Sequence, residues 1–226
     1  MQVYIDEKAI KRKGNLGKIL AFGGLGAGLA ALFLSTRMPE YINTIFFVAL
    51  AGLFLSQIGI SLVNRWSRSP RVDEILSAAV KGLDSNFHLF HYKLGADHVL
   101  ASPTGVYILV PALQDGRVVF EEDGKKWFVL KKRRNKLKKR RIKDLQGQIE
   151  REISSAERKL RSIFPDNSDL QLSPIVVFLH RDAQVKLDNA PYHCVHGKKI
   201  KPLLRKLQKE TPLSEEETQT LIEKVS

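Results

Sequence analysis

A chain of 226 residues has room for one medium domain plus a membrane anchor, or for two small domains. Its 37 Lys+Arg against 24 Asp+Glu leave a formal charge of +13, which points towards anionic partners. Cys194 is the single cysteine, so an intrachain disulfide framework is excluded and a reducing compartment suits the chain.

Residues 1–18 read as a basic cytoplasmic tail. Ile19 to Leu34 carries no charge and Ser35-Thr36 extend it to the length of a span, about residues 19–36. Tyr41 to Val63 is a second uncharged stretch, about 41–63. Only Arg37 to Glu40, including Pro39, separate them, so the pattern predicts a tight transmembrane α-helical hairpin over 19–63. A cleaved signal peptide would explain the first stretch alone but not the second. Lys8, Lys11, Arg12, Lys13 and Lys18 precede the hairpin, Arg37 sits in its loop, and Arg65, Arg68 and Arg71 follow it. The excess of basic residues outside the loop predicts an integral protein of the plasma or inner membrane, with both termini and the soluble domain in the cytoplasm. Gly24 with Gly28, and Gly52 with Ser56, are small-xxx-small pairs expected to seal the two helices; the same faces are the candidate surface for homo-oligomers. Gln57, the one strongly polar side chain at mid-depth, is expected to bond within the hairpin. Two spans and one amide make no permeation pathway, which excludes a transporter.

The cytoplasmic domain is expected over 64–210, followed by a C-terminal helix in 211–226. Ser69-Pro70 reads as a helix N-cap with Pro at the first helical position. Val72, Ile75, Leu76, Ala79, Val80 and Leu83 recur at helical spacing, giving an amphipathic helix over 70–83 with Glu74 in its first turn. Phe87 to Tyr92 alternates as a strand. Gly95 to Ala112 reads as a β-hairpin, turning at Ser102-Pro103-Thr104-Gly105 and headed by Asp97. Gly116 to Glu121 and Lys126 to Leu130 are two further strands joined across Asp123-Gly124. Residues 131–141 form a basic insertion read as a solvated loop, holding Lys131, Lys132, Arg133, Arg134, Lys136, Lys138, Lys139, Arg140 and Arg141. From Asn64 to Ser226 there are 31 Lys+Arg and 21 Asp+Glu, so this run supplies +9 of a net +10 and the basic character reads as one patch. A long helix follows from Ile142 to Ile163, then a core strand over Leu172 to Leu179 and a short strand over Tyr192 to Val195. Closing helices are expected at Pro202 to Gln208 and Ser214 to Val225, the last with a capping box at Ser214 and Glu217. The fold class is α/β: a mixed β-sheet flanked by helices, preceded by the transmembrane hairpin.

A strand headed by Asp97, a tight turn and a hydrophobic strand, followed by Gly116, a short strand and Trp127, resembles the nuclease-related domain family (NERD), a branch of the PD-(D/E)xK nucleases. The resemblance covers roughly residues 70–205 and implies a restriction-endonuclease-like fold. In that family the second strand ends in Glu-x-Lys, where this chain has Val110 and Ala112. The resemblance makes Glu74 and Asp97 remnant positions of a metal site and Val110 and Ala112 lost ones. It also implies a glutamine early in the long helix, for which Gln146 and Gln148 both qualify.

A nuclease of this class needs two carboxylates for Mg²⁺ and a lysine for the attacking water, and residues two apart on a strand share a face. Val110 offers no oxygen to a hard cation and Ala112 no charge. No catalytic residue, metal site or cofactor is therefore assigned; Mg²⁺ enters only with the alternative, a rearranged active nuclease. Glu121, Glu122, Asp123 and Lys125 read as turn polarity. His88, His91, His98, His193 and His196 read as ordinary strand or surface histidines, since His193, Cys194 and His196 have no ligand spacing and adjacent strand residues face opposite ways. The basic run would bind anionic lipid headgroups at ~1 kcal/mol per residue near the surface, or nucleic acid with steep salt dependence. Aromatic residues interleaved with the charges would favour base stacking, and the run contains none. The sequence thus points to a membrane-anchored, catalytically inactive binding or scaffolding module for polyanions, with binding of lipid or of polyanions generally slightly ahead of a dedicated nucleic-acid contact.

Overall fold

A computed structural model describes residues 1–102, 105–133, 136–164, 172–187 and 189–207. The chain divides into two units: Asp6–Val72, and Met1–Ile5 together with the chain from Asp73 onward.

The first unit is a helical hairpin. Helix α1 spans Glu7–Arg37 and α2 spans Ile42–Trp66, joined through a 3-10 turn at Pro39–Tyr41. The link falls where Pro39 predicts it. Helix α1, however, starts well before the apolar stretch. The Asp6 carboxylate accepts a hydrogen bond from the Ala9 amide at 2.9 Å and Glu7 occupies the first turn, so the basic segment expected as a tail is helical. Both helices are long and apolar enough to cross a membrane. Their large side chains point outward, with Phe22 72% and Phe47 68% exposed.

The seam between them has a seven-residue period. Ile10, Gly17, Gly24 and Ala31 are buried on α1, and Ile45, Gly52, Gly59 and Trp66 on α2. A Cβ added at Gly52 would lie 2.7 Å from the Gly24 carbonyl oxygen, and one at Gly17 would lie 2.8 Å from the Leu62 Cβ. The backbones therefore touch, which only hydrogen-sized side chains allow. Gly24 and Gly52 seal the hairpin as expected, but Gly28 has open space where its Cβ would stand. Gln57 is exposed on the outside of the hairpin, not bonded within it. Ser56, four residues after Gly52, also lies on the seam, since a Cβ at Gly24 would come 2.5 Å from its amide nitrogen, and the heptad repeat keeps this face in register along both helices.

The second unit begins at the amino terminus. Strand β1, Gln2–Ile5, pairs in parallel with β2, His88–Leu94, setting Tyr4 opposite Phe90. Four residues are too few for their alternation to stand out, so the sequence reading missed this strand. Helix α3 spans Val72–Val80, shorter than expected; the Ser69-Pro70 peptide is cis and Pro70 lies outside the helix. Strand β2 is followed by β3, Ala96–Ser102, and β4, Gly105–Ala112, all antiparallel in turn. Gly95 makes the β2–β3 turn with φ +83, and its missing side chain leaves room for the Ser155 carbonyl.

Strand β5, Gly116–Glu121, pairs with β6, Lys126–Arg133, and β6 with β7, Lys136–Arg141. The basic run is thus a β-ribbon and not a loop. Helix α4, Leu145–Ile163, leads to β8, Leu172–Phe178, and the short β9, Ala183–Gln184. Strand β10, His193–His196, and helix α5, Ile200–Leu207, follow. The main sheet has the order β1-β2-β3-β4-β8-β10, with β8 parallel to both β4 and β10. A second sheet has the order β7-β6-β5-β9. The expected mixed sheet flanked by helices is present. Arg134, the Pro103-Thr104 turn centre, Gln208 and the helix expected at Ser214 to Val225 lie outside the described residues.

Strand alternation divides the main sheet's side chains. Phe90, Val99, Ile108, Val110, Ala112, Val176 and Phe178 pack with Ile149, Ala156 and Leu160 of α4 and with Val118, Phe120, Trp127 and Val129 of the second sheet in one core. His91 faces the other way, towards α3, where Leu76 and Val80 are fully buried.

Candidate polyanion-binding surface

Of the positions singled out by the nuclease resemblance, Asp97, Val110 and Ala112 lie on the neighbouring strands β3 and β4 but carry no common chemistry, and Glu74 lies on α3. Val99 stands opposite Ile108, and the same register two residues on brings Asp97 alongside Val110. Val110 and Ala112 are buried hydrocarbon facing α4. The Asp97 amide donates to the Glu152 carboxylate of α4 at 2.7 Å, so the partner the structure supplies is an acid that the sequence reading passed over. Glu152 lies one turn after Gln148, a spacing that could have drawn attention to it. Of the two candidate glutamines, Gln146 has the visible role. Its side-chain oxygen accepts from the Trp127 indole at 3.3 Å and its amide donates to Glu150 at 2.8 Å and to the Tyr192 hydroxyl at 3.2 Å. It pins the second sheet to α4. Glu74 is half-buried in the first turn of α3, while its neighbour Asp73 is the fully buried acid. Among the described residues, no three His, Cys, Asp or Glu side chains gather as a metal-holding group.

The histidines are less ordinary than their spacing suggests. His91 and His98 stand opposite each other on β2 and β3, almost fully buried, with their Nδ1 atoms 2.7 Å apart. One must donate and the other accept, so the pair shares one proton. His91 Nε2 lies 2.9 Å from the Ser77 hydroxyl. A serine, a histidine and a second histidine in line can relay a proton. Ser77 sits in the interior of α3, however, where the helix consumes the amides that an oxyanion hole would need. The cluster therefore locks α3 to the sheet. Cys194 is equally inert, since burial pushes its thiol up to about 12. His196 accepts from the Lys198 amide at 3.1 Å.

The basic ribbon has two faces. Lys131, Lys136, Lys138 and Arg140 continue the side of Val129; Lys132, Leu137, Lys139 and Arg141 share the other with Phe128 and Leu130. Lys131 stands directly opposite Lys138, a like-charge pair that costs about 0.2–1 kcal/mol. Lys131 is paired with Asp115, whose carboxyl is held below its usual range by the hydrogen bond from that ammonium. Lys139 is paired with Glu121 and stacks 4.1 Å over the Phe128 ring. Lys132, Lys136, Lys138, Arg140 and Arg141 have no carboxylate partner among the described residues, and all are exposed. Leu137 is 70% exposed among them. Cross-strand pairing thus sets an aromatic ring beside the cations, although none is interleaved with them in sequence.

The basic character is not confined to the ribbon. Residues scattered through the sequence, Arg181, Lys198, Lys201 and Arg205, meet at a groove between α3 and α5. Counting charge along the chain hid this, because five glutamates that offset it lie beyond Leu207. No protein family, curated protein or solved structure matches this chain.

Proposed function

We propose that the chain is a membrane-anchored binding module whose β6–β7 ribbon engages anionic lipid headgroups. The observation that carries this reading is the ribbon itself: five cations without a carboxylate partner among the described residues, Lys132 and Arg141 on the face of the exposed Leu137 and Lys136, Lys138 and Arg140 on the other. Like charges opposite each other are a cost in the free protein that an anionic surface relieves. A leucine flanked by long basic side chains suits the boundary between headgroups and acyl chains. At ~1 kcal/mol per basic residue near a charged surface, five cations hold the ribbon firmly. The two apolar helices supply the anchor. Strand β1 and the rest of its sheet belong to one domain, and the two helices lie between them in the chain, which supports a chain that crosses the bilayer an even number of times. The basic flanks favour the cytoplasmic side for that domain. The order α3, β2-β3-β4, α4, β8 supports reading the domain as a nuclease-related fold that has lost its Glu-x-Lys.

The test uses the full chain in lipid nanodiscs with an environment-sensitive dye on a Leu137→Cys variant. Native Cys194 is half-buried with its thiol pushed up to about 12, so it should label far more slowly than a cysteine at 137. Dye emission should shift to the blue in discs containing anionic lipid and not in purely zwitterionic ones. Neutralising Lys132, Lys138 and Arg141 should abolish the shift. No shift in either disc would refute lipid engagement.

Nucleic acid is the second reading, favoured by one observation: a two-stranded basic ribbon with Phe128 under Lys139 has the width a DNA major groove admits and a ring for stacking. The same dye would then respond to oligonucleotides, steeply with salt. The alternative of an active nuclease draws on the Asp97–Glu152 contact. Mg²⁺-dependent cleavage lost in Asp97→Ala would establish it; no cleavage is expected.

A further inference from the structure

We propose that the groove between α3 and α5 is a docking site for the headgroup of a single anionic phospholipid, an inference that rests on the membrane-anchored reading and goes beyond the ribbon. The groove is open, about 610 Å³, and belongs wholly to the sheet domain. Ile75, Ala78 and Ala79 of α3, with Leu179 and Pro202, give it an apolar floor. Lys198, Lys201 and Arg205 line its edge, and no carboxylate is among its lining residues. These three cations form no ion pair with any described residue, whereas Arg181, the fourth, lies 3.5 Å from Asp182.

Three cations without an ion-pair partner among the described residues, over a hydrocarbon floor, match a molecule with a phosphate at one end and an apolar foot at the other. Phosphate takes charge-assisted hydrogen bonds from Arg and Lys, and the small side chains of Ala78 and Ala79 leave the floor shallow enough for glycerol and the first methylenes. An acidic helix would complement the charge too. The apolar floor, however, offers little more than one turn of α3, less than the run of anchors at i, i+3, i+4 and i+7 by which a docked helix is held. The supply is local. Only Ser67 to Arg71 separate the end of α2 from the start of α3, a contour of roughly 20 Å at most, so α3 cannot lie far from the end of the second span.

The experiment reconstitutes the full chain in nanodiscs of phosphatidylcholine with and without an anionic phospholipid, re-extracts it in mild detergent and counts retained lipids by native mass spectrometry. One anionic lipid per chain is expected, with no phosphatidylcholine retained in its place. The double reversal Lys201→Glu with Arg205→Glu should lower retention about thirtyfold or more. Ala79→Trp, which fills the floor without touching charge, should also displace the lipid. Lys143→Glu with Lys186→Glu, two exposed lysines outside both the groove and the ribbon, should leave retention unchanged. Unchanged circular dichroism and thermal unfolding of each variant separate loss of the site from loss of the fold. Retention that survives both groove variants overturns the inference. So does equal retention of phosphatidylcholine, binding of inorganic phosphate without lipid, or binding of an acidic amphipathic peptide without lipid. A chain that elutes apart from the nanodisc overturns the anchoring reading and this inference with it; a chain within the disc that retains no lipid overturns this inference alone.

Discussion

Strand β1 makes the sheet domain discontinuous in sequence, and this can be measured at one residue. The Tyr4 ring stacks on Phe90 with centroids 4.9 Å apart and planes 12° apart, and Phe90 is fully buried. Tyr4 is itself half-buried, so Tyr4→Ala removes about 100 Å² of contact, worth ~2.5 kcal/mol at ~25 cal/mol per Å². The ring pairing adds ~1 kcal/mol, and the compactness of real unfolded chains takes some of this back. A loss of ~2–3 kcal/mol should lower Tm by about 5–10 °C in a domain of this size. The assay is thermal unfolding of the full chain in detergent, with hydrogen exchange on peptides covering His88–Leu94. Faster exchange should appear there in Tyr4→Ala, and Tyr4→Phe should retain most of the protection. An unchanged Tm with unchanged exchange would refute the pairing of β1 with β2. The same reasoning predicts that a fragment starting at Arg65 exposes the β2 edge and aggregates, because an unpaired edge strand recruits other edges.

Two further outcomes follow from particular contacts. Burial lowers the His88 pKa below its usual 6.5, so the unfolded chain binds its proton more readily than the folded one; stability should fall as pH drops through about 6.5. His88→Phe should flatten that fall in pH-dependent unfolding curves, and an unaltered slope would assign it to other groups. Gly24→Ile should force α1 and α2 apart, since a Cβ there meets the Gly52 carbonyl, whereas Gly28→Ala should be tolerated. Spin-label distances between the two helices should lengthen only in the first; equal distances in both would refute the seam.

Much of the chain was legible without coordinates, for local reasons. Charge-free stretches around Pro39 announced the two helices and their link. Alternation and turn chemistry placed β2 to β6 within a few residues, because Ser102-Pro103-Thr104-Gly105 and Asp123-Gly124 are turn sequences whatever surrounds them. The hydrogen bond from the Asp97 amide to the Glu152 carboxylate was not legible, since it joins residues far apart on a strand and a helix. Nor was the seven-residue seam, because in an apolar helix every face looks alike until a partner is laid against it. The basic run reads as a loop in sequence because lysine and arginine have weak strand preference. It becomes a ribbon only because β6, anchored by Trp127 and Val129 in the core, offers an edge with which β7 can pair. The sequence by itself determined two helices long and apolar enough to cross a membrane, the order of most elements from α3 to β8, and the Val110 and Ala112 that stand where the resemblance expects Glu-x-Lys, all properties of near neighbours. Only the tertiary structure decided that the first strand belongs to the last domain, that Phe128 sits under Lys139, and that scattered cations converge on one groove. Those depend on which distant segments pack together, a choice made by burying the whole core at once.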